Sequence, residues 1–275
     1  MHYPSQAKRD AGRAAGFGIE PNQAGFLITC TRGKEGRCVG EMYVLLNEYA
    51  EQLYPEASTD GQPAGEEHGG DAALSVEDEI AQELASLQQA KEKQTRLFTS
   101  LATQTECVVF IRTRPPVEPV SMARTILQDF ATTQQQRTRY TNRIVPITLT
   151  CRSQLDDIER MATTVLAPIF HTEDAAEHPI KASGRRMGSM YGYFAIQPKI
   201  RNCDRVDRDE LIKLIARVVG PHHKVDLTQP DRTIIVEVLK SICGMSVVEN
   251  YNELKRFNVY ALTTPSSTTD NTNKT

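Results

Sequence analysis

The sequence of 275 residues lacks any apolar run close to the roughly 20 residues that a helix needs to cross a bilayer. Its first ten residues are polar and lack the apolar stretch of a secretory signal. The six cysteines occur singly, without a CxxC pair and without histidines at zinc-ligand spacing. We therefore expect no membrane span, no zinc site and cysteines that remain reduced thiols inside the cell.

The motifs of common enzyme classes are also missing. The sequence has no phosphate-binding G-x-x-x-x-G-K-[ST] and no G-x-G-x-x-G after a predicted strand. It has no G-x-S-x-G nucleophile elbow, no H-E-x-x-H and no zinc-deaminase signature. These absences favour a protein without an active site and without a cofactor.

Basic residues are missing from one long window. Between Glu48 and Glu83 the sequence has eleven acids and no lysine or arginine. The formal net charge of the whole chain is −3, so removing these eleven acids leaves +8 on the remainder. The nearly neutral total therefore conceals a basic remainder, which suits a polyanionic partner.

The N-terminal half alternates strand and helix patterns after a tail at 1–23 that we expect to be disordered. The stretch 56–71 is rich in Gly, Pro, Glu and Asp, which is typical of a disordered insertion. The other patterns predict strands at 25–30 and 106–112, and helices at 39–53, 76–101 and 120–130. This order favours an α+β unit, ferredoxin-like in outline, over residues 24–135.

A polar hinge at 132–143, basic and free of acids, leads into a second unit over 136–262. A helix is expected to begin after Ser153 and to end at Pro168, and a loop follows at 171–188. The remaining patterns predict a helix at 206–219 and strands at 144–151, 190–199, 224–227, 232–240 and 242–248. This is an α/β unit, and the polar residues 263–275 are expected to form a disordered tail.

The cations of the second half cluster in predicted loops and at strand ends, where they can line a groove for a phosphate backbone. Tyr191 and Tyr193 share one strand face and could stack on bases, although core packing is the alternative. A solvated surface is the alternative for the cations. The candidate RNA-binding residues are Arg137, Arg139, Arg143, Arg152, Lys181, Arg185, Arg186, Lys199, Arg201, Lys224 and Lys240.

Two further titratable features have structural explanations. Glu237 is the one acid inside the apolar run TIIVEVLK, where a buried, partnered carboxylate or an edge position explains it better than a catalytic base. His222 and His223 follow a Gly-Pro turn, so we expect them at the surface, with phosphate contact or pH switching as the alternative.

Four stretches resemble one known family. They are the opening GFLITC followed by GRC at 36–38, the RIVPITLTC run at 143–151, the HKVDL and PDRTIIVEVLK block at 223–240, and CGMSVV at 243–248. In this order and spacing they are similar to the THUMP-domain adaptor of tRNA cytidine N4-acetylation. The resemblance covers residues 24–260 outside the acidic insertion.

The resemblance implies an N-terminal ferredoxin-like domain followed by an α/β THUMP domain, the pair binding tRNA. It also implies a separate RNA cytidine acetyltransferase as partner, which modifies a cytidine in the D-arm of leucine and serine tRNAs. Only about fifteen residues follow the region of resemblance, which ends at residue 260, so we expect no catalytic domain of the kind that other THUMP proteins carry.

Two other classes of function stay open from the residues alone. One is an RNA-modifying enzyme in its own right, and the other is a protein–protein scaffold whose basic face meets an acidic partner. By analogy with the family, we expect a nuclear location, with the nucleolus and the cytoplasm as alternatives.

Overall fold

The computed structural model describes residues 18–55, 97–171 and 192–264 of the protein. Its N-terminal elements are β1 (Ala24–Cys30), α1 (Glu35–Leu53), β2 (Phe98–Leu101), β3 (Val108–Thr113), α2 (Pro119–Thr133) and β4 (Thr141–Ile147). The four strands form an antiparallel sheet in the order β2-β3-β1-β4. The βαββαβ order and this strand arrangement confirm the predicted ferredoxin-like unit.

The second unit contains a mixed five-stranded sheet in the order β5-β9-β8-β6-β7. Strand β6 runs parallel to β7 and β8, whereas β9 is antiparallel to β8 and β5. Its elements are β5 (Leu149–Arg152), α3 (Leu155–Phe170), β6 (Tyr193–Arg201), α4 (Arg208–Val219), β7 (Lys224–Val225), β8 (Arg232–Leu239) and β9 (Ile242–Val248). A 3-10 turn (Lys255–Phe257) and α5 (Val259–Thr263) follow.

Helices α2 and α4 each begin at an acidic side-chain cap. The Glu118 carboxylate accepts hydrogen bonds from the amides of Val120 and Ser121, and Pro119 occupies the first turn of α2, where its missing N–H is not needed. Asp207 caps α4 in the same way, accepting from the amides of Asp209 and Glu210. These caps fix where each helix leaves its sheet.

Strand β8 is buried on both faces, which explains its nearly continuous apolar run. Ile234, Val236 and Val238 pack with α3 and α4 in one core. Ile235 and Leu239 pack in the other core, together with the ferredoxin-like unit. The second sheet is therefore a middle layer, and side chains at alternate positions of β8 face the first unit.

Three sequence predictions are wrong at the level of elements. The helix predicted to run to residue 101 does not reach it, because Phe98–Leu101 pairs with β3 as an edge strand. The single strand predicted at 144–151 is two strands in different sheets, β4 and β5, which meet at Thr148. Pro168 lies inside α3 rather than at its end.

Two side-chain expectations also differ from the structure. Ser153 does not cap α3, because its buried hydroxyl donates to the Lys240 carbonyl at 3.0 Å. His223 is buried rather than exposed, and its Nε2 lies 3.1 Å from the Phe170 carbonyl oxygen. His222 is exposed as expected.

The two units divide at a different point from the predicted hinge. Strand β4 pairs with β1 from Gly25 opposite Ile147 to Cys30 opposite Thr141, so sheet membership changes after Ile147 rather than after residue 135. At the other end of the chain, α5 packs on α2 and β4 of the first unit. The insertion at 56–71, most of the helix predicted at 76–101, the loop at 172–188 and the tails at 1–17 and 265–275 lie outside the described residues.

Candidate nucleic-acid interface

A cavity of about 150 Å³ opens where the two sheets meet. The first sheet, the second sheet and the segment after β9 all contribute to its wall. Four of the side chains that line it are cationic and one is acidic. The lining residues are Thr29, Arg143, Val145, Gln197, Pro198, Lys199, Arg201, Ile235, Glu237, Tyr251 and Arg256. We call this the inter-sheet cavity.

Strand register explains why three charged residues meet in the inter-sheet cavity. Lys199 on β6 lies directly opposite Glu237 on β8, so the two side chains share one face of the sheet. Arg201 is two residues further along β6, on that same face. This is the face that carries Ile235 and Leu239 into the core shared with the first unit.

Glu237 is ion-paired with Arg201, with 2.5 Å between Oε2 and Nη1. The side chains are only 6% and 16% exposed, so the prediction of a buried, partnered carboxylate is confirmed. Burial raises the pKa of the Glu237 carboxyl, and the charge of Arg201 acts against that rise. The second terminal nitrogen of Arg201, Nη2, is buried and has no hydrogen-bond partner among the described residues.

Lys199 lies in a crowded cationic environment. Burial lowers the pKa of its ammonium group, and the charges of Arg201 and Arg143 lower it further, whereas Glu237 acts in the opposite direction. Arg143 reaches across to the segment after β9, where its Nη1 donates to the Arg256 carbonyl at 3.3 Å. One carboxylate therefore faces several cations, and the inter-sheet cavity has an excess of positive charge.

A second basic feature lies at the N-terminal end of α1. The guanidinium groups of Arg37 and Arg139 both lie over the Tyr140 ring, 5.7 and 5.6 Å from its centroid. Arg37 also donates to the Tyr140 hydroxyl at 3.0 Å, and this hydrogen bond lowers the pKa of that hydroxyl. Both arginines are exposed. We call Arg37, Arg139 and Tyr140 the arginine–tyrosine cluster; such a combination suits RNA phosphates and unpaired bases.

Glu41 of α1 holds the arginine–tyrosine cluster in place. Its carboxylate accepts the backbone N–H groups of Arg139 and Tyr140, each at 2.9 Å, and the Thr141 hydroxyl at 2.7 Å. Three hydrogen bonds to one carboxylate fix the end of the predicted hinge against the helix. The segment is therefore anchored to α1 along its last residues.

Arg137, also predicted to bind RNA, is engaged within the protein. Its guanidinium is ion-paired with Glu48 and lies 5.6 Å from the centroid of the Tyr49 ring. The hydrogen bond to Glu48 raises the pKa of Arg137. Arg137 therefore fastens the hinge to α1, and its charge is already neutralised locally.

Three further predicted residues lie at separate places on the second unit. Lys240 occupies the β8–β9 turn with φ at 52°, and its Nζ donates to the Gln104 carbonyl of the first unit at 2.7 Å. Lys224 is exposed on the edge strand β7, beside Tyr193. Arg152 ends β5 and lines a different cleft with Arg160. Lys181, Arg185, Arg186 and Tyr191 lie outside the described residues.

The sequence patterns missed four residues of these features. Arg37 lies in the GRC stretch at 36–38. Tyr140 follows Arg137 and Arg139, and an aromatic residue among arginines is a pattern that indicates nucleic-acid binding. Arg256 and Tyr251 follow the last strand, where no pattern distinguishes them. They join the inter-sheet cavity only because the chain folds back after β9.

Within the described ranges no helix is long and apolar enough to span a bilayer. In the same ranges no three His, Cys, Asp or Glu side chains are grouped closely enough to hold a metal ion. All six cysteines are free thiols. Four of them are buried, and they behave as small apolar residues in the two cores.

The fold and the interface define an α+β protein in which a ferredoxin-like unit precedes a mixed-sheet unit, with a cationic cavity between them. Residues 152–248 of the second unit match the family model of the THUMP domain. The chain is 38% identical over 263 residues to THUMP domain-containing protein 1 of Bos taurus, covering 92% of this chain and 68% of that protein. The chain belongs to the THUMP domain-containing protein 1 family.

The chain is also similar to a further relative and to a solved structure. The chain is 28% identical over 278 residues to tRNA acetyltransferase TAN1 of Saccharomyces cerevisiae, covering 94% of this chain and 90% of that protein. The solution structure of the THUMP domain of THUMP domain-containing protein 1 is 34% identical, with a TM-score of 0.25, and covers 34% of this chain and 84% of that domain.

Proposed function

We propose that the protein is a non-catalytic adaptor that binds tRNA and presents it to a separate RNA cytidine acetyltransferase. The product is N4-acetylcytidine in the D-arm of leucine and serine tRNAs. The observation that carries the proposal is the inter-sheet cavity, in which Arg143, Lys199 and Arg201 gather positive charge from both units. The name of the yeast relative, which joins tRNA to acetylation, supports the choice of substrate and reaction.

The geometry suggests how the protein would bind a folded RNA. Cations of both sheets lie around one cavity, and the arginine–tyrosine cluster extends the basic surface along α1. A-form RNA has a deep, narrow major groove, so phosphate and 2′-hydroxyl contacts carry recognition more than base edges. The two units share a core, so a tRNA gripped by both would be held at a fixed distance from the bound acetyltransferase.

A reconstituted reaction tests the proposal. The full chain is mixed with tRNA, acetyl-CoA and ATP, with and without the RNA cytidine acetyltransferase, and N4-acetylcytidine is measured by nucleoside mass spectrometry. We expect product only when both proteins are present. The acetyltransferase alone should give little or none with leucine and serine tRNAs.

The second candidate function is an acetyltransferase in its own right, which the name of the yeast relative favours. It predicts N4-acetylcytidine from the purified protein without the second enzyme, and this result would overturn the adaptor proposal. A protein–protein scaffold predicts no mobility shift of tRNA by the protein. The three functions therefore give three different results in the two assays.

A further inference from the structure

Among the residues that the structure describes, the inter-sheet cavity contains more positive charge than the neighbouring acids neutralise. Arg143, Lys199, Arg201 and Arg256 line it, and among the described lining residues Glu237 is the one acid. Glu237 is engaged with Arg201 through Nη1. Like charges held close together in a partly buried site repel one another strongly unless an anion separates them.

The unused donor of Arg201 adds a second observation. Nη2 of Arg201 is buried without a partner in the part of the chain that the structure describes, although the other terminal nitrogen is paired. A buried, charged N–H group without an acceptor is costly, and an oxyanion in the cavity would supply that acceptor. Guanidinium groups bind phosphate oxygens with well-matched geometry.

We infer that the inter-sheet cavity binds one phosphate group of the RNA backbone, held by Lys199 and by the unpaired side of Arg201, with Arg143 closing the site from β4. This inference rests on the proposed function and assigns a phosphate-binding site within it. Glu237 orients Arg201 and competes electrostatically with the ligand. The bound phosphate contacts Arg143 of β4 as well as Lys199 and Arg201 of β6. It therefore stabilises the contact between the two units.

The site predicts opposite effects for two substitutions. Lys199→Met removes a cation and should weaken the binding of inorganic phosphate about tenfold or more, because charged hydrogen bonds of this kind are strong. Glu237→Gln keeps an oxygen for Arg201 but removes the competing negative charge, so phosphate should bind several-fold more tightly. Lys213→Met on the exposed face of α4 is the matched control and should leave phosphate affinity unchanged.

The experiment measures phosphate affinity by isothermal titration calorimetry on the full chain, and thermal unfolding in sodium phosphate against sodium chloride of equal ionic strength. We expect phosphate to raise the Tm of the wild-type protein and to raise that of Glu237→Gln further. Equal unfolding temperatures in the two salts, or equal phosphate affinity of Lys199→Met and the wild type, would overturn the inference. If Glu237→Gln folds only in phosphate, that result also supports the site.

Two further titrations distinguish an RNA backbone phosphate from the phosphate of a free nucleotide. They also distinguish failure of the phosphate site from failure of the proposed function. A short RNA duplex should compete with inorganic phosphate in the wild type, whereas competition by a nucleoside monophosphate but not by the duplex would contradict an RNA backbone ligand. If tRNA binds normally while phosphate shows no specific effect, the site assignment fails and the proposed function stands. If tRNA does not bind at all, the proposed function fails first.

Discussion

Gly244 shows why one residue of β9 has no side chain. A Cβ built on Gly244 would lie 2.8 Å from Cγ2 of Ile147, at the contact between the two sheets. Gly244→Ala should therefore lower the free energy of unfolding by about 1–3 kcal/mol through overpacking. Urea unfolding of the purified variant measures this change.

A second glycine provides the control for that measurement. Gly40 lies within α1, and a Cβ built there would meet nothing within 4 Å. Gly40→Ala should raise the free energy of unfolding by about 1 kcal/mol, because alanine favours the helix. Equal stabilities of Gly244→Ala and the wild type would contradict the close contact between the sheets.

Cys30 illustrates how burial controls reactivity. Burial, assisted by the neighbouring Cys38 and Glu35, raises the pKa of the Cys30 thiol from 9.0 to about 12. Only the thiolate reacts with alkylating reagents, so at neutral pH Cys30 should react far more slowly than the partly exposed Cys203. The Cys30 rate should continue to rise with pH above 9.0, as mass spectrometry after timed iodoacetamide treatment would show. Alkylation of Cys30 as fast as Cys203 in the native protein would disprove this environment.

At the residue scale the sequence predicts a side chain's environment best where that side chain differs in polarity from its neighbours. A single acid in an apolar strand indicated a buried partner for Glu237, and the structure supplies Arg201. The Gly-Pro turn before His223 predicts an exposed side chain. In the structure the His223 ring instead packs edge-on against the Phe170 ring, and its Nε2 lies beside the Phe170 carbonyl oxygen. Its burial depends on the position of α3, which no local pattern reveals.

At the element scale, helix α1 anchors the segment 139–141 through Glu41. Glu41→Gln should break the set of hydrogen bonds to Arg139, Tyr140 and Thr141, since an amide can accept through only one of its two terminal atoms. We expect a loss of about 1–3 kcal/mol in the stability of this attachment. Hydrogen exchange at the amides of Arg139 and Tyr140 should become faster, and tRNA affinity should fall.

Glu253→Gln is the control for that prediction. Glu253 is exposed in the segment after β9, and removing its charge changes the net charge of the protein by the same amount. It should leave hydrogen exchange in the 139–140 segment unchanged. If both variants bind tRNA equally, Glu41 does not hold an RNA-binding element.

At the element scale the long periodic segments are predictable, and so is the short edge strand β7, which the pattern places at 224–227, whereas β2 and the division between β4 and β5 are not. Apolar spacing indicated α1, α2, α3 and α4 and the strands β1, β3, β6, β8 and β9, because each buries one face or both. Strand β2 has only four residues, and the apolar spacing that includes it predicts a helix. The run RIVPITLTC reads as one strand, and only tertiary pairing divides it between two sheets.

At the scale of the whole molecule, charge is separated along the chain. The acidic window begins at Glu48, and its first acid neutralises Arg137, whereas the cavity cations come from residues after position 140. The net charge of −3 therefore says little about the surface that would meet RNA. The inter-sheet cavity itself was not predictable as a unit, because its lining residues run from Thr29 to Arg256.

The family resemblance implies the order of the two units along the chain, which the local patterns alone do not establish. It did not indicate which cations converge. Of the predicted residues that the structure describes, Arg143, Lys199 and Arg201 line one cavity, whereas Arg137 and Lys240 make contacts within the protein. That distinction requires three-dimensional contacts.

The salt dependence of tRNA binding tests the central claim, that cations of both units contact RNA phosphates. The test variant carries Arg143→Ala and Lys224→Ala together. The control variant carries Lys213→Ala and Arg217→Ala, which remove two exposed cations of α4 on the other side of the second sheet. Each lost phosphate contact should reduce the slope of log K against log salt by about 0.7–0.9. We predict weaker binding and a shallower slope for the first pair, and wild-type behaviour for the second. Unchanged affinity and slope for the first pair would contradict the account.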